Sequence, residues 1–361
     1  MNLKKKLLAL GLSLALTLSL TACGQKAAEP EQPEEPAQTE EPAVEAPDGT
    51  EADTAHFRIA ALKGPTAMGL VKLMKDNDET IGALLSSAKP YEGEVGNLYT
   101  FTLAGSADEV TPALIKGDLD MACVPANLAA VLYGKTNGAV EVLAVNTLGV
   151  LYIVENGDAV QSMADLKGQT IVAAGKGSTP EYALRYLLTE NGIDPDNDVT
   201  IDWKSEHSEC VAALASGQAS VALLPQPFVT VAQSKIEGLR MALDLNAEWD
   251  ALDNGSALIT GVIVARRAVV EENPAAVEAF LKDYAASVDW VNANTADAAA
   301  LIGEYSIVDA AVAEKALPYC NIVCLTGADL LEALPGYLEV LYNASPAAVG
   351  GEMPDNSFYF A

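Results

Sequence analysis

The chain has 361 residues, with 50 acidic against 21 basic side chains and a formal net charge of −29. That balance argues against a nucleic-acid partner, whose phosphates would repel it, and reads as solubility at a surface more than as a ligand preference. The five cysteines include no C-x-x-C pair, which points away from a zinc site or a disulfide framework. For Cys123, Cys210, Cys320 and Cys324 the expectation is buried free thiols, with a Cys320–Cys324 bridge possible only across a turn.

Residues 1–22 read as a signal peptide. Lys4, Lys5 and Lys6 precede the apolar run Leu7 to Leu20, which is shorter than the ~20 residues a spanning helix needs. The ending Leu20-Thr21-Ala22-Cys23 resembles a bacterial lipobox, in which the cysteine is diacylated and becomes the mature N-terminus; the plain alternative is an ordinary cleavage site with a chance cysteine. Two acyl chains suffice for stable anchoring. Residues 23–55 are rich in Pro, Glu and Ala, with no aromatic. Such a segment cannot bury enough apolar surface to offset its ordering entropy and is expected to be a disordered acidic tether.

The roughly 300 residues from His56 onward exceed a single core. "HFRIAAL" (56–62) predicts a strand, "GLVKLMK" a helix and "YTFTLA" (99–104) a strand. "ADEVTPALIKG" predicts a helix, "MACVP" a strand, "NLAAVLYGK" a helix and "VEVLAVNT" a strand. After "SMADLKGQ" the pattern restarts: strand "TIVAAG", helix "TPEYALRYLLTENG", strand "VTIDWKS", helix "ECVAALASGQ", strand "VALLP" and helix "FVTVAQSKI". Asn273 to Leu317 is Ala-rich and largely helical in pattern. Short apolar strands alternating with helices predict βαβ units and mostly parallel sheets, hence an α/β fold.

One phrase occurs twice. "KGDLDMACVPAN" (116–127) and "SGQASVALLPQP" (216–227) share a skeleton in which Gly117 matches Gly217, Ala122 matches Ala222 and Pro125 matches Pro225, each pair 100 positions apart. The duplication predicts two lobes of similar plan. Ligands of open α/β sheets sit beyond the carboxyl ends of the strands, and a proline there stops the ladder by removing a donor. The loops "ALKGPTAMG" (61–69) and "AAGKGSTPE" (173–181) each lead from a first strand into a helix start. A helix N-terminus offers unpaired N–H groups and about half a positive charge, so two such ends would bind an anion or polar head group without arginine. Ser178 and Glu181 also fit a capping box that only closes its own helix; the duplication favours the ligand reading.

Chemistry-bearing patterns are sparse. His56 and His207 are the only histidines, and His207 with Cys210 lacks two further ligands for a metal. Glu206 and His207 would form an acid–base pair only if they shared a face, which neighbours on a strand do not. No G-x-S-x-G elbow is present, and Gly175-x-Gly177 lacks the third glycine of a nucleotide fingerprint. Trp203 is kept as a candidate aromatic wall. No catalytic, metal or cofactor site is expected.

"IAALKGPTAMGLVKLM", "SMADLKGQTIVAAGKGSTPEYALRYLL" and "ALASGQASVALLPQP" together resemble a substrate-binding protein of an ABC importer. The resemblance is to the group that includes nitrate, sulfonate, taurine and thiamine-precursor pyrimidine binders, and runs from Phe57 to the end. It implies a type II periplasmic-binding-protein fold: two Rossmann-like lobes, a central cleft and two hinge crossings, near Thr147 to Leu151 and Thr260 to Val264. Lobe 1 would then comprise 56–150 and 263–361, and lobe 2 151–262. The resemblance implies ligand contacts from Gly64, Pro65, Thr66, Ala67, Asn127, Ser178 and Thr179; lobe symmetry adds Gln226, and Glu206 would line the second lobe's edge. The implied role is a monomeric lipoprotein on the outer face of the cell membrane. It would pass a small organic anion, a sulfonate first and a pyrimidine second, to a permease and ATPase. An enzyme or a non-transporting sensor on the same fold are the alternative classes.

Overall fold

The computed structural model describes residues 55–86 and 95–360. The targeting segment, Cys23 and the tether through residue 54 lie outside the described residues. Ala55, the last residue assigned to the tether, already belongs to the fold: it is half-buried, and its carbonyl accepts from the Leu98 amide at 2.8 Å.

The chain runs β1 (His56–Leu62), α1 (Pro65–Met68), α2 (Val71–Leu85), β2 (Leu98–Ala104), α3 (Ala107–Lys116), β3 (Met121–Pro125), α4 (Ala126–Lys135) and β4 (Val140–Leu148). It continues through β5 (Leu151–Glu155), β6 (Thr170–Ala174), α5 (Thr179–Glu190), β7 (Thr200–Lys204), α6 (His207–Ala215), β8 (Val221–Pro225), α7 (Phe228–Lys235), β9 (Arg240–Asp244) and α8 (Leu245–Asp250). It returns through β10 (Ile259–Arg266), α9 (Arg267–Glu272), α10 (Pro274–Ala293), α11 (Thr295–Glu304), α12 (Ala310–Ala316), β11 (Ile322–Leu325) and α13 (Gly327–Ala344).

These strands form two sheets, one per lobe: a six-stranded sheet in the order β11-β4-β10-β3-β1-β2 and a five-stranded sheet in the order β7-β6-β8-β5-β9. The expectation of mostly parallel sheets is corrected. β1–β2, β1–β3, β6–β7 and β6–β8 are parallel, but β10 is antiparallel to both its neighbours and so is β5. Each of these two strands enters its sheet directly from a chain crossing, so it arrives against the direction set by the βαβ units.

The repeated phrase has a structural meaning. Gly117 closes α3 in the left-handed region (φ 89°) and Gly217 follows α6 in the same region (φ 72°), a conformation glycine adopts without penalty. Pro125 pairs with Gly261 of β10, and Pro225 pairs with Leu151 of β5. Both prolines thus end a central strand beside the strand that has just crossed from the other lobe.

The first crossing, Gly149–Val150, is tightly held. Asn321 donates from Nδ2 to the Gly149 carbonyl, Leu148 N–H donates to the Asn321 carbonyl at 3.1 Å, and Thr260 Oγ1 donates to the Leu148 carbonyl. Gly149 must be glycine for packing: a Cβ there would lie 2.3 Å from Asn246 Oδ1 and 2.8 Å from Asn246 Cβ. One apolar cluster is continuous between the lobes, joining Leu184, Leu187 and Trp249 to Leu330, Leu334 and Tyr337. Separate clusters fill the other face of each sheet. Cys123, Cys210 and Cys320 are buried in this packing and Cys324 is half-buried; all four are free thiols, with burial pushing the Cys123 and Cys320 thiols up to about 12.

Candidate ligand cleft

The carboxyl ends of β1, β3, β6 and β8 carry most of the nominated residues, because each of those strands hands over to a helix there. After β1 the chain turns at Gly64, whose φ of 145° and ψ of −159° admit glycine, and Pro65 starts α1. Pro65 and Ala67 are buried; Thr66 is half-buried and its hydroxyl donates to the Leu62 carbonyl at 2.9 Å. The loop rests on a buried polar layer. Asn146 Nδ2 points to the Thr66 carbonyl at 3.5 Å, and Thr147 Oγ1 donates to Asn146 Oδ1 at 3.0 Å. Gly261 permits this approach, since a Cβ there would lie 2.6 Å from Thr66 Cγ2.

After β6, Ser178 precedes α5 but no side chain caps that helix. The capping-box alternative is therefore not formed: the Ser178 hydroxyl donates to the Gly175 carbonyl at 2.9 Å, and Glu181 accepts from the Gly177 amide, not that of Ser178. No side chain caps α4 either, whose N-cap is Pro125.

The two helix starts meet across the lobes. Thr179, on α5, donates from Oγ1 to Oδ1 of Asn127, on α4, at 3.3 Å. Tyr337 of α13 donates to the same Thr179 hydroxyl at 3.4 Å, and Asn127 Nδ2 donates to the Ala348 carbonyl at 3.0 Å. All three side chains belong to residues at most 1 % exposed, so the junction is dry and the lobes are in contact. Burial pushes the Tyr337 hydroxyl well above its ordinary range.

The remaining candidates stand apart from this pair. Gln226 is buried and its Oε1 accepts from Thr230 Oγ1 at 2.9 Å, within its own lobe. Glu206 is exposed and forms a reciprocal capping box with Glu209 at the start of α6. β7 ends at Lys204, so Glu206 and His207 lie on a helix start, not on a strand. His207 packs on Phe228 at 5.2 Å between ring centroids, and its Nδ1 is buried without a partner; burial lowers its pKa to about 4. No three-ligand cluster of His, Cys, Asp or Glu occurs among the described residues. Trp203 is half-buried against the main core.

Three surface hollows, of about 370, 380 and 450 Å³, are lined by other residues, the first by Lys72, Asp76, Tyr99, Asp283 and Trp290. Thr66, Asn127, Ser178 and Gln226 line none of them. The structure thus brings Asn127 and Thr179 together directly and leaves Thr66, Ser178, Glu206 and Gln226 unbonded to that pair. Sequence reasoning passed over Asn146, Thr147 and Tyr337, which sit in apolar runs with nothing local to distinguish them from core positions.

Comparison with known proteins bears on the family and the fold. Residues 92–316 match the family described as ABC transporter, phosphonate, periplasmic substrate-binding protein. A curated relative from Brucella abortus, named as a binding protein, is 27% identical over 199 residues, 55% of this chain; the match spans 59% of that relative's length. The crystal structure of an ABC transporter from Parabacteroides distasonis superposes with a TM-score of 0.68 at 23% identity, covering 86% of this chain and 99% of that one. The periplasmic aliphatic sulphonate binding protein SsuA of Escherichia coli gives 0.63 at 17% identity, covering 81% and 88%. Both likenesses show the two-lobed α/β fold. The extent of the family match settles the assignment: the chain belongs to the phosphonate family of ABC-transporter periplasmic substrate-binding proteins.

Proposed function

We propose that this protein is a lipid-anchored, extracytoplasmic binding subunit that captures a small organic oxyanion between its lobes and delivers it to a permease and ATPase. Lobe 1 comprises 56–150 and 263–361, and lobe 2 comprises 151–262. The observation that carries the reading is the Asn127–Thr179 junction, where two helix N-termini from different lobes are held together with no capping side chain. Two positive helix ends face one another there, an arrangement that an anion placed between them relieves. Gly64 and Thr66 on one side and Ser178 on the other complete the rim. Each lobe alone offers only part of the hydrogen bonding a buried oxyanion needs, so ligand favours the closed state over the open one.

The oxyanion class is supported by the phosphonate family description and by the sulphonate binder of the same fold. Lipid anchoring at Cys23 is supported by the sequence Leu20-Thr21-Ala22-Cys23, and no described helix is long and apolar enough to cross a membrane. The test is a thermal-shift screen with small phosphonates, sulfonates and pyrimidines, since a ligand that binds only the native state raises its stability by RT ln(1 + [L]/Kd). A shift with phosphonates or sulfonates supports the reading; a shift with pyrimidines alone replaces it with the second ligand class named above.

A further inference from the structure

The Asn127 amide has a fixed polarity. Its Nδ2 lies 3.0 Å from the Ala348 carbonyl oxygen, which only accepts, so the nitrogen must face Ala348 and the oxygen must face the other lobe. Oδ1 takes its hydrogen from Thr179 Oγ1 at 3.3 Å, and Thr179 in turn receives one from Tyr337 at 3.4 Å. The chain of donors runs one way, Tyr337 to Thr179 to Asn127, and ends on an acceptor that is 1 % exposed.

We propose that Asn127 is a specificity-determining acceptor, selecting ligands whose anionic group also carries a hydrogen. This inference rests on the oxyanion reading above. A ligand entering between the helices takes the Thr179 hydrogen with one of its own oxygens. It thereby removes the hydrogen that satisfied Asn127 Oδ1. A group with acceptors only, such as an ionised sulfonate, then sets an oxygen against a buried carbonyl oxygen, and a buried acceptor left unpaired is costly. A singly protonated phosphonate supplies both needs: anionic oxygens for the Thr179 hydroxyl and the helix amides, and a P–O–H hydrogen for Asn127. Sites built to hydrogen-bond a ligand hydrogen reject analogues that lack it far more strongly than apolar pockets reject a size change. No ionisable side chain bonds Asn127 directly. On the elements meeting there, the Tyr337 hydroxyl is raised by burial and Glu181 is held on the Gly177 amide; neither bonds Asn127, and the titrating proton is the ligand's own.

The experiment is calorimetric titration of the purified mature protein with methylphosphonate and with methanesulfonate between pH 5.5 and 8.5. A parallel series uses Asn127→Leu and, as a variant that keeps the amide, Asn127→Gln. The expected result is methylphosphonate affinity at least tenfold above methanesulfonate at pH 5.5. It falls as the pH passes the ligand's second ionisation, while methanesulfonate affinity stays flat. Asn127→Leu loses both the preference and the slope; Asn127→Gln, which keeps both the amide donor and the acceptor, keeps the preference. Equal or tighter methanesulfonate binding at pH 5.5, or an undiminished slope in Asn127→Leu, overturns the role of Asn127 while leaving oxyanion capture standing. Binding of neither ligand at any pH overturns oxyanion capture and the role of Asn127 with it.

Discussion

The indole of Trp249, at the end of the second lobe, lies 5.6 Å from the Tyr337 ring on α13, centroid to centroid. The Tyr186 ring packs against the same indole, tilted, at 4.9 Å between centroids, and Trp249 Nε1 donates to Ser256 Oγ at 3.1 Å. Trp249 and Tyr337 are fully buried, so the aromatic seam ties the lobes into one apolar core. Trp249→Ala should cost about 3–5 kcal/mol, the usual range for emptying a large aromatic site. It should also split the single urea transition into two, one per lobe. Tyr337→Phe, which removes only the hydroxyl bonded to Thr179, should cost roughly 1 kcal/mol. One unbroken transition in Trp249→Ala would contradict the seam's coupling role.

At the first crossing, Gly149→Ala should destabilise the protein, because the new Cβ meets Asn246 at 2.3 Å from Oδ1 and 2.8 Å from Cβ. Overpacking of this kind costs about 1–3 kcal/mol. Asn246→Gly removes both colliding atoms, so the double variant should recover part of the loss. A double-mutant cycle in urea reads the coupling; additive effects would contradict the contact.

His207 gives a pH prediction. Its folded-state pKa, lowered by burial to about 4, lies below the unfolded value of about 6.5. The unfolded chain therefore binds more protons between these values, and stability falls with acidification across that window. The His207 contribution is fully present above about pH 6.5. Urea midpoints measured from pH 4 to 7 should depend less on pH in His207→Leu than in the parent. An unchanged dependence would show that the imidazole is freely protonated in the fold.

The proposed anchor predicts that membrane attachment is lost with Cys23. Metabolic labelling with a fatty-acid analogue should mark the parent and not Cys23→Ala, which should appear in the soluble extracytoplasmic fraction. Retention of label in Cys23→Ala would place the anchor elsewhere.

The repeat was the most legible feature of the sequence. Gly117 and Gly217, with Pro125 and Pro225, announced two lobes because backbone geometry at a strand end permits few residues. β5 and β10 were not legible: Leu151–Glu155 follows β4 after only two residues, and Ile259–Arg266 is an apolar run with no alternation. Those two strands, together with β11, which is antiparallel to β4, make the sheets mixed. Thr179 was accessible to reasoning because it sits at a helix start, and Asn127 through the family resemblance alone. The contact between them was not, because it depends on how far the lobes close. Asn146 and Tyr337 lie in strand and helix runs where a single polar atom carries no periodic signal, and Glu206 could not be separated by spacing alone from the cap of its own helix.

The central claim is that the two lobes hold one oxyanion jointly, and affinity in variants from each lobe measures it most directly. Calorimetric titration of the mature protein with methylphosphonate should give one saturable site per chain. Asn127→Leu in the first lobe and Thr179→Val in the second should each weaken binding by at least tenfold, about 1.4 kcal/mol. Full affinity in either variant, or saturable binding that neither changes, would contradict the account.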